Sequence, residues 1–168
     1  MKLLNYIAIL LLFTSCVEVG FKHPQPEKGK ALNSIPTEMV SFYTNQEKDT
    51  TSGNTKGFNL SDLNSDISKE GVLSETTILK QWKGRYFLNQ KEDSLWYIIM
   101  IIELPDKTYE TYKLDGGNES TVLLLKEITN VEKVYSESGE LKLIIIDPSA
   151  SEFKKIIKSS AFEKIDIF

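Results

Sequence analysis

The sequence predicts an α+β fold, and two patterns carry that prediction. Residues 95–104, LWYIIMIIEL, are apolar at nearly every position, which is typical of a β-strand that is covered on both faces. Residues 119–129 and 149–160 instead carry apolar side chains at intervals of three and four, the spacing of one helix face. Strand-like segments flank both helices, so we expect a sheet combined with two short helices in a single domain at residues 38–168.

The half of this domain before the helices, residues 38–104, is predicted to be β-rich and antiparallel. Met39–Thr44, Val72–Lys80 and Arg85–Gln90 have the composition of strands and precede the long apolar strand. Residues 45–71 are rich in Asn, Ser, Thr, Asp and Gly, which predicts a loop region with one or two short strands at most.

Residues 105–168 predict the element order βαββαβ. We place strands at 108–114, 131–135, 141–146 and 162–168, around the two helices. Ser149 and Glu152 have the spacing of a capping box at the start of the second helix. This order is that of a ferredoxin-like sandwich, in which right-handed crossovers place both helices on one face of the sheet. A calycin-like β-barrel with a terminal helix is the alternative architecture.

The same segment predicts an internal repeat. When Asp115 is aligned with Asp147, Leu124–Leu125 falls on Ile156–Ile157, and the strand at 131–134 matches the strand at 162–165. The alternative is that the two segments have similar turn residues but are not copies of one unit.

The amino terminus has the pattern of an export signal. Lys2 is followed by an apolar run from Leu3 to Phe13 and by the small residues Thr14 and Ser15. The run is shorter than the about 20 residues that a membrane span needs. Cys16, the single cysteine of the chain, comes next, and the arrangement resembles the signal peptide of a bacterial lipoprotein. The resemblance implies cleavage after residue 15 and a covalent lipid, palmitate included, on Cys16; a plain signal peptide that contains a cysteine is the alternative.

The residues after the cysteine suggest a location and a tether. Val17, rather than an aspartate, follows Cys16, and by resemblance to envelope lipoproteins this favours the outer membrane, facing the periplasm. Pro24, Pro26 and Pro36 lie in residues 16–37, which we interpret as a lipidated cysteine with a Pro/Gly tether. His23 lies in the same segment, where we expect it to be solvated.

Several kinds of chemistry are not expected. His23 is the only histidine, so neither a Ser-His-Asp nor a Cys-His arrangement can form within the domain, and clustered zinc ligands are missing. The chain has no Gly-rich phosphate-binding loop. Its net charge of −4 and its single arginine argue against nucleic acid as a partner. We therefore expect no catalytic residues, no metal and no cofactor other than the lipid.

Trp82, Arg85 and Tyr86 form the one constellation that suggests binding. They surround a predicted turn, and an arginine among aromatic rings can hold a carboxylate through two hydrogen bonds or stack on a ring. Packing around a hairpin is the alternative interpretation.

Two longer segments carry a family resemblance. LSETTILKQWKGRYFLN at residues 73–89 and DPSASEFKKIIK at residues 147–158 resemble segments of small uncharacterised envelope lipoproteins of Bacteroidota. The resemblance spans about residues 70–165 and implies an envelope lipoprotein, but it brings no known activity. We therefore expect a membrane-anchored, non-catalytic protein that binds a protein or envelope component. A lipocalin-like carrier of a small hydrophobic ligand, held behind the strand from Trp96 to Ile102, is the alternative.

Overall fold

The computed structural model describes residues 17–41 and 73–165, and the strands of these ranges form one open, mixed, nine-stranded sheet. Two helices accompany the sheet, which confirms the α+β class. Residues 37–41 are also helical. The elements are β1 (Glu18–Phe21), β2 (Lys30–Ala31), β3 (Thr77–Trp82), β4 (Arg85–Glu92), β5 (Leu95–Glu103), β6 (Tyr109–Leu114), α1 (Glu119–Ile128), β7 (Val131–Tyr135), β8 (Leu141–Ile146), α2 (Ala150–Lys158) and β9 (Phe162–Ile165).

The long apolar strand β5 is the centre of the sheet, as its sequence predicts. β4 pairs with it in antiparallel register along its whole length. Its other edge is shared, because Phe21 of β1 lies opposite Trp96 while β6 pairs with Met100–Glu103. Beyond β5 the sheet therefore divides into two branches, β1–β8–β7 and β6–β9.

Separate apolar layers cover the two faces of β5. Trp96, Ile98 and Met100 belong to a cluster that also contains the buried residues of both helices. On the opposite face, Ile99 and Ile101 pack with a smaller cluster. Because alternate residues of a strand point to opposite faces, this double coverage explains why β5 is apolar throughout.

One predicted strand is wrong where its residues form part of the smaller cluster. Ile35 and Met39 cover this face, and residues 37–41 are helical. The predicted strand Met39–Thr44 is therefore wrong for residues 39–41, and its remaining residues lie outside the described ranges. The backbone N–H of Val40 donates to the carbonyl of Pro36 at 3.1 Å. The four-residue spacing of Ile35 and Met39 places both side chains on one side of this turn, facing the sheet.

Both helices begin with side-chain caps and lie on the same face of the sheet. Asn118 Oδ1 accepts a hydrogen bond from the backbone N–H of Ser120 at the start of α1. The capping box of α2 is confirmed: Ser149 Oγ accepts from Glu152 N, and Glu152 Oε2 accepts from Ser149 N at 2.7 Å. These bonds satisfy backbone donors that the first helical turn otherwise leaves unpaired.

The pairing of the last four strands has the symmetry that the repeat predicts. The alignment of Asp115 with Asp147 places β6 on β8 and β7 on β9. The two repeat units are β6–α1–β7 and β8–α2–β9. β6 pairs with β9 just as β8 pairs with β7, so the last strand of each unit pairs with the first strand of the other unit. The pairs Leu114↔Phe162, Lys113↔Glu163, Tyr112↔Lys164 and Thr111↔Ile165 correspond to Ile146↔Val131, Ile145↔Glu132, Ile144↔Lys133 and Leu143↔Val134.

The order βαββαβ is present, but the strands are not arranged as in a ferredoxin-like sheet. That arrangement requires β6 and β8, the first and third strands of the unit, to be neighbours. Instead β6 pairs with β5 and β9, and β8 pairs with β1 and β7. β1 lies parallel to β8, from Glu18↔Leu143 to Phe21↔Ile146, and takes the place that β6 would occupy. The sheet is open, so its described strands do not close into a calycin-like barrel either.

Residues 17–37 are part of the fold, and the predicted tether is wrong for this range. β1 is an inner strand between β5 and β8, and Val19 and Phe21 are buried in the main cluster. The short strand β2 pairs with β3. The four residues EVGF, close to several prolines, give no local sign of this role, because their partners lie more than 70 positions further along the chain.

The proline-rich stretch after β1 is held by buried polar groups. Lys80 Nζ donates to the carbonyls of Pro24 and Pro26 at 3.0 and 3.1 Å. The backbone N–H of Gln25 donates to Oδ1 of the fully buried Asn89 at 2.7 Å. Burial lowers the pKa of Lys80 from its ordinary value, and the charge of Glu27 opposes this shift. The predicted signal peptide at 1–15, Cys16 and the predicted loop at 45–71 lie outside the described residues.

We expect Phe21→Ala to lower the free energy of unfolding by about 3–5 kcal/mol, the usual cost of removing a buried phenylalanine. Phe21 is 1% exposed, and its ring meets that of Phe153 edge to face, with 6.0 Å between the ring centroids. The measurement is urea unfolding. The neighbouring Lys22→Ala, which removes only an exposed ion pair with Glu132, should change the free energy by less than about 1 kcal/mol. Equal effects of the two substitutions would show that β1 is not part of the core.

Candidate functional site

The three residues that the sequence singled out lie at the β3–β4 hairpin but do not share one face. Trp82 and Arg85 are opposite each other across a two-residue turn. Lys83 and Gly84 form the turn with φ values of 50° and 72°, as a tight hairpin requires. Tyr86 packs on the cluster beneath the other face of the sheet. The structure therefore brings Trp82 and Arg85 together and separates Tyr86 from them.

Side chains from more distant strands complete the surface around Arg85. Ile102 of β5 lies beside Arg85 in the sheet, and Glu110 of β6 lies beside Ile102. Tyr112 follows two positions after Glu110 on the same face of β6, and Lys164 of β9 lies beside Tyr112 in the sheet. We call this surface the Arg85 face; it consists of Trp82, Arg85, Ile102, Glu110, Tyr112 and Lys164.

Sequence reasoning missed Glu110, Tyr112 and Lys164. One residue separates Glu110 from Tyr112 in TYETYKL, so the sequence places both side chains on the same face of a strand. It does not reveal which strands lie beside them. Lys164 comes from β9, and only the pairing of β9 with β6 brings it next to Tyr112.

Glu110 holds the charged part of the Arg85 face in a fixed geometry. Lys164 Nζ donates to Glu110 Oε1 at 2.7 Å, and Tyr112 Oη donates to Glu110 Oε2 at 2.6 Å. The hydrogen bond from Lys164, followed by that from Tyr112, lowers the pKa of Glu110. The same bond to Glu110, together with burial, raises the pKa of Tyr112. Both shifts move the titrations away from neutral pH, so these groups are suited to constant charge rather than to proton transfer.

The guanidinium of Arg85 has unused hydrogen-bonding capacity. Its Nε atom is buried and has no hydrogen-bond partner within the described ranges. The ion pairs found in those ranges involve other basic residues, namely Lys22, His23, Lys107 and Lys164. A buried donor without a partner costs about 1–3 kcal/mol. Arg85 as a whole is only half-buried, so a carboxylate or phosphate could accept hydrogen bonds from the part of its side chain that solvent reaches.

The surroundings of Arg85 are positively charged and aromatic. Lys83 Nζ lies 4.9 Å from the centroid of the Trp82 indole, and Lys164 lies on the far side of the face. The Arg85 face and the adjoining Lys83 therefore carry three basic side chains and the one carboxylate of Glu110. Trp82, Ile102 and Tyr112 are half-buried and provide an apolar base beside these charges. Such a surface fits an anionic group that is attached to an apolar or flat body.

The remaining candidate features are simple. His23 is 73% exposed, with its Nε2 atom 4.0 Å from Asp147 Oδ1, so it is solvated as expected. In the ranges 17–41 and 73–165 no group of three or more His, Cys, Asp and Glu side chains could hold a metal ion. Neither is any helix of those ranges long and apolar enough to cross a membrane.

Comparison of the chain with protein-family models, with curated proteins and with solved structures finds no match. Function is therefore inferred from the residues of the chain and from their geometry.

The bonds to Glu110 predict a pH dependence of stability. Because the pKa of Glu110 in the folded state lies below its ordinary value of 4.5, its stabilising effect is present above about pH 4.5 and is lost as the pH falls through the folded-state pKa. Glu110→Gln should therefore unfold with a weaker dependence on pH in this acidic range than the unaltered protein. Glu137→Gln, in the exposed β7–β8 turn, serves as the control and should leave the dependence as it is. Parallel pH profiles for all three proteins would contradict the role of Glu110.

Proposed function

We propose that this protein is a lipoprotein of the bacterial cell envelope that binds a protein or another envelope component and catalyses no reaction. In this proposal acyl chains on Cys16 hold it on the outer membrane, facing the periplasm. The apolar run that ends in Thr14, Ser15 and Cys16 supports the anchor. The lone cysteine supports it as well, because a single thiol in an exported protein otherwise lacks an explanation.

The observation that carries the binding role is the half-buried Arg85, whose Nε atom has no hydrogen-bond partner among the described residues. Arginine, tryptophan and tyrosine dominate the binding energy of protein interfaces, because they combine large apolar area with directed hydrogen bonds. The Arg85 face contains one of each, in Arg85, Trp82 and Tyr112. We propose that a carboxylate or another anionic group of the partner binds Arg85 while apolar parts of the partner cover Trp82 and Ile102.

The packing behind β5 favours a binding surface over the carrier of a small hydrophobic ligand. A carrier needs an apolar cavity of several hundred cubic ångströms. Aromatic side chains are in contact between β5 and the helices: Phe87 and Phe153 meet edge to face at 5.7 Å between ring centroids. Leu125 and Ile156 are fully buried in the same cluster.

The anchor has a direct test. Cells that are fed radiolabelled palmitate should label the unaltered protein, and Cys16→Ala should abolish the label because the acceptor thiol is absent. The mass of the mature protein should correspond to cleavage before Cys16 plus the mass of its acyl groups. Ser15→Ala, which keeps a small residue before the cut, is the matched control and should be labelled normally. Label that persists in Cys16→Ala would overturn the anchor.

The binding role is tested by native mass spectrometry of the protein after gentle extraction from its own envelope. We expect a macromolecular partner at fixed stoichiometry, and we expect Arg85→Met to weaken its binding by about thirtyfold or more, since the loss of a desolvated charge contact costs about 2–5 kcal/mol. Arg85→Lys should restore only part of the affinity, because an ammonium cannot donate in a fork.

Stability separates binding from a structural role of Arg85. Arg85→Met removes an unpartnered buried donor, so it should leave the free energy of unfolding unchanged or raise it. Lys113→Met removes an exposed charge from β6 on the opposite face of the sheet and should preserve the binding. Unchanged partner binding in Arg85→Met would refute the assignment, as would a loss of stability above about 2 kcal/mol, the scale of a broken buried contact. A small hydrophobic adduct on the monomer would favour the carrier instead.

A further inference from the structure

The fold begins at the residue that follows the proposed anchor. Val17 is 8% exposed and belongs to the main apolar cluster. Its carbonyl accepts a hydrogen bond from the backbone N–H of Gly116 at 3.0 Å. A Cβ on Gly116 would lie 2.8 Å from the same oxygen, so the two backbones meet too closely for any side chain at that position. Val17 is therefore fixed in place from the side of β6.

β1 cannot serve as a flexible spacer. All four of its residues, Glu18 to Phe21, pair in parallel with β8. Phe21 also pairs with β5 and is 1% exposed in the core. Release of β1 would break the pairing on both of its sides and expose Phe21, so the strand stays in the sheet whenever the domain is folded.

The distance between the anchor and the fold is consequently one residue. Adjacent Cα atoms of any chain are about 3.8 Å apart, so the sequence leaves no room for a spacer before the buried Val17. A flexible tether of twenty residues would instead have added a root-mean-square reach of about 25 Å.

We infer that the acylated protein lies with the β1 entry, around Val17 and Gly116, directly against the lipid surface. This inference rests on the proposed acylation of Cys16. A domain of about 150 residues measures about 40 Å across, so whatever binds the Arg85 face must come within about that distance of the bilayer. The partner is therefore bound in the layer next to the membrane surface.

Covalent attachment, and not charge, enforces this contact. Glu18 is exposed beside Val17, and Asp115 precedes Gly116. Acidic side chains are repelled by anionic headgroups. A protein that begins at Val17 and has no lipid should therefore not bind vesicles of phosphatidylglycerol, whereas the acylated protein should bind them.

The orientation is measured with the acylated full-length protein in vesicles that contain nitroxide-labelled lipids. A fluorophore is placed at Glu18→Cys, next to the entry, or at Lys30→Cys in β2, which is four strands away from β1 in the sheet and hence about 19 Å distant. Both positions are exposed, and Cys16 is blocked by its acyl chain. We expect the probe at position 18 to be quenched several-fold more than the probe at position 30.

A spacer of ten Gly and Ser residues between Cys16 and Val17 provides the matched control. It leaves β1 intact but frees the domain, so it should remove the difference between the two probes. Equal quenching of the two probes in an acylated protein without the spacer would overturn the inference and leave the anchor standing. The intact mass reports acylation separately, and a protein without acyl groups would overturn the anchor and this inference with it.

Discussion

The insertion of β1 between β5 and β8 is the contact on which the rest of the molecule depends. β1 supplies the only link between the half of the sheet that contains β2 to β5 and the branch formed by β8 and β7, within the residues that the structure describes. Its parallel pairing with β8 places Phe21 against Phe153, and through that ring α2 is held over the main cluster. Without β1, the helices would have to cover a sheet that is split in two. The apolar area that its residues bury offsets the cost of ordering a chain segment so distant from its partners.

The carboxy-terminal half shows how two similar units form one layer. Each unit contributes a strand, a capped helix and a second strand, and each pairs its second strand with the first strand of the other unit. The symmetry ends at the neighbours of the first strands, because β6 joins an antiparallel β5 and β8 joins a parallel β1. The Arg85 face lies on the β6 side, where Lys164 of one unit meets Glu110 of the other. Beyond β6 lie β5 and then β4, whereas beyond β8 lie β1 and then β5, so the surface around Arg85 arises once and not twice.

In the proposed function, stability and binding oppose each other at Arg85. The neighbouring charges are satisfied, because Glu110 accepts from both Tyr112 and Lys164. Arg85, in contrast, retains a buried donor that no described residue satisfies. Folded proteins rarely contain such groups, since an unpaired buried donor loses its hydration and gains nothing in return. The position of the proposed anchor, one residue from the core, then limits where such a partner can be met.

The sequence by itself determined the features that arise from local pattern: the doubly apolar β5, the two helices with the Ser149–Glu152 capping box, the hairpin at Trp82 and Arg85, and the repeat register. These follow from periodicity and turn chemistry within a few residues. Only the tertiary structure decided that the proline-rich segment belongs to the sheet, that β1 separates β6 from β8, and that Glu110, Tyr112 and Lys164 complete the Arg85 face while Tyr86 points away. Those outcomes depend on which strands pair across long stretches of chain, and a four-residue strand such as EVGF has no periodicity long enough to specify its neighbours.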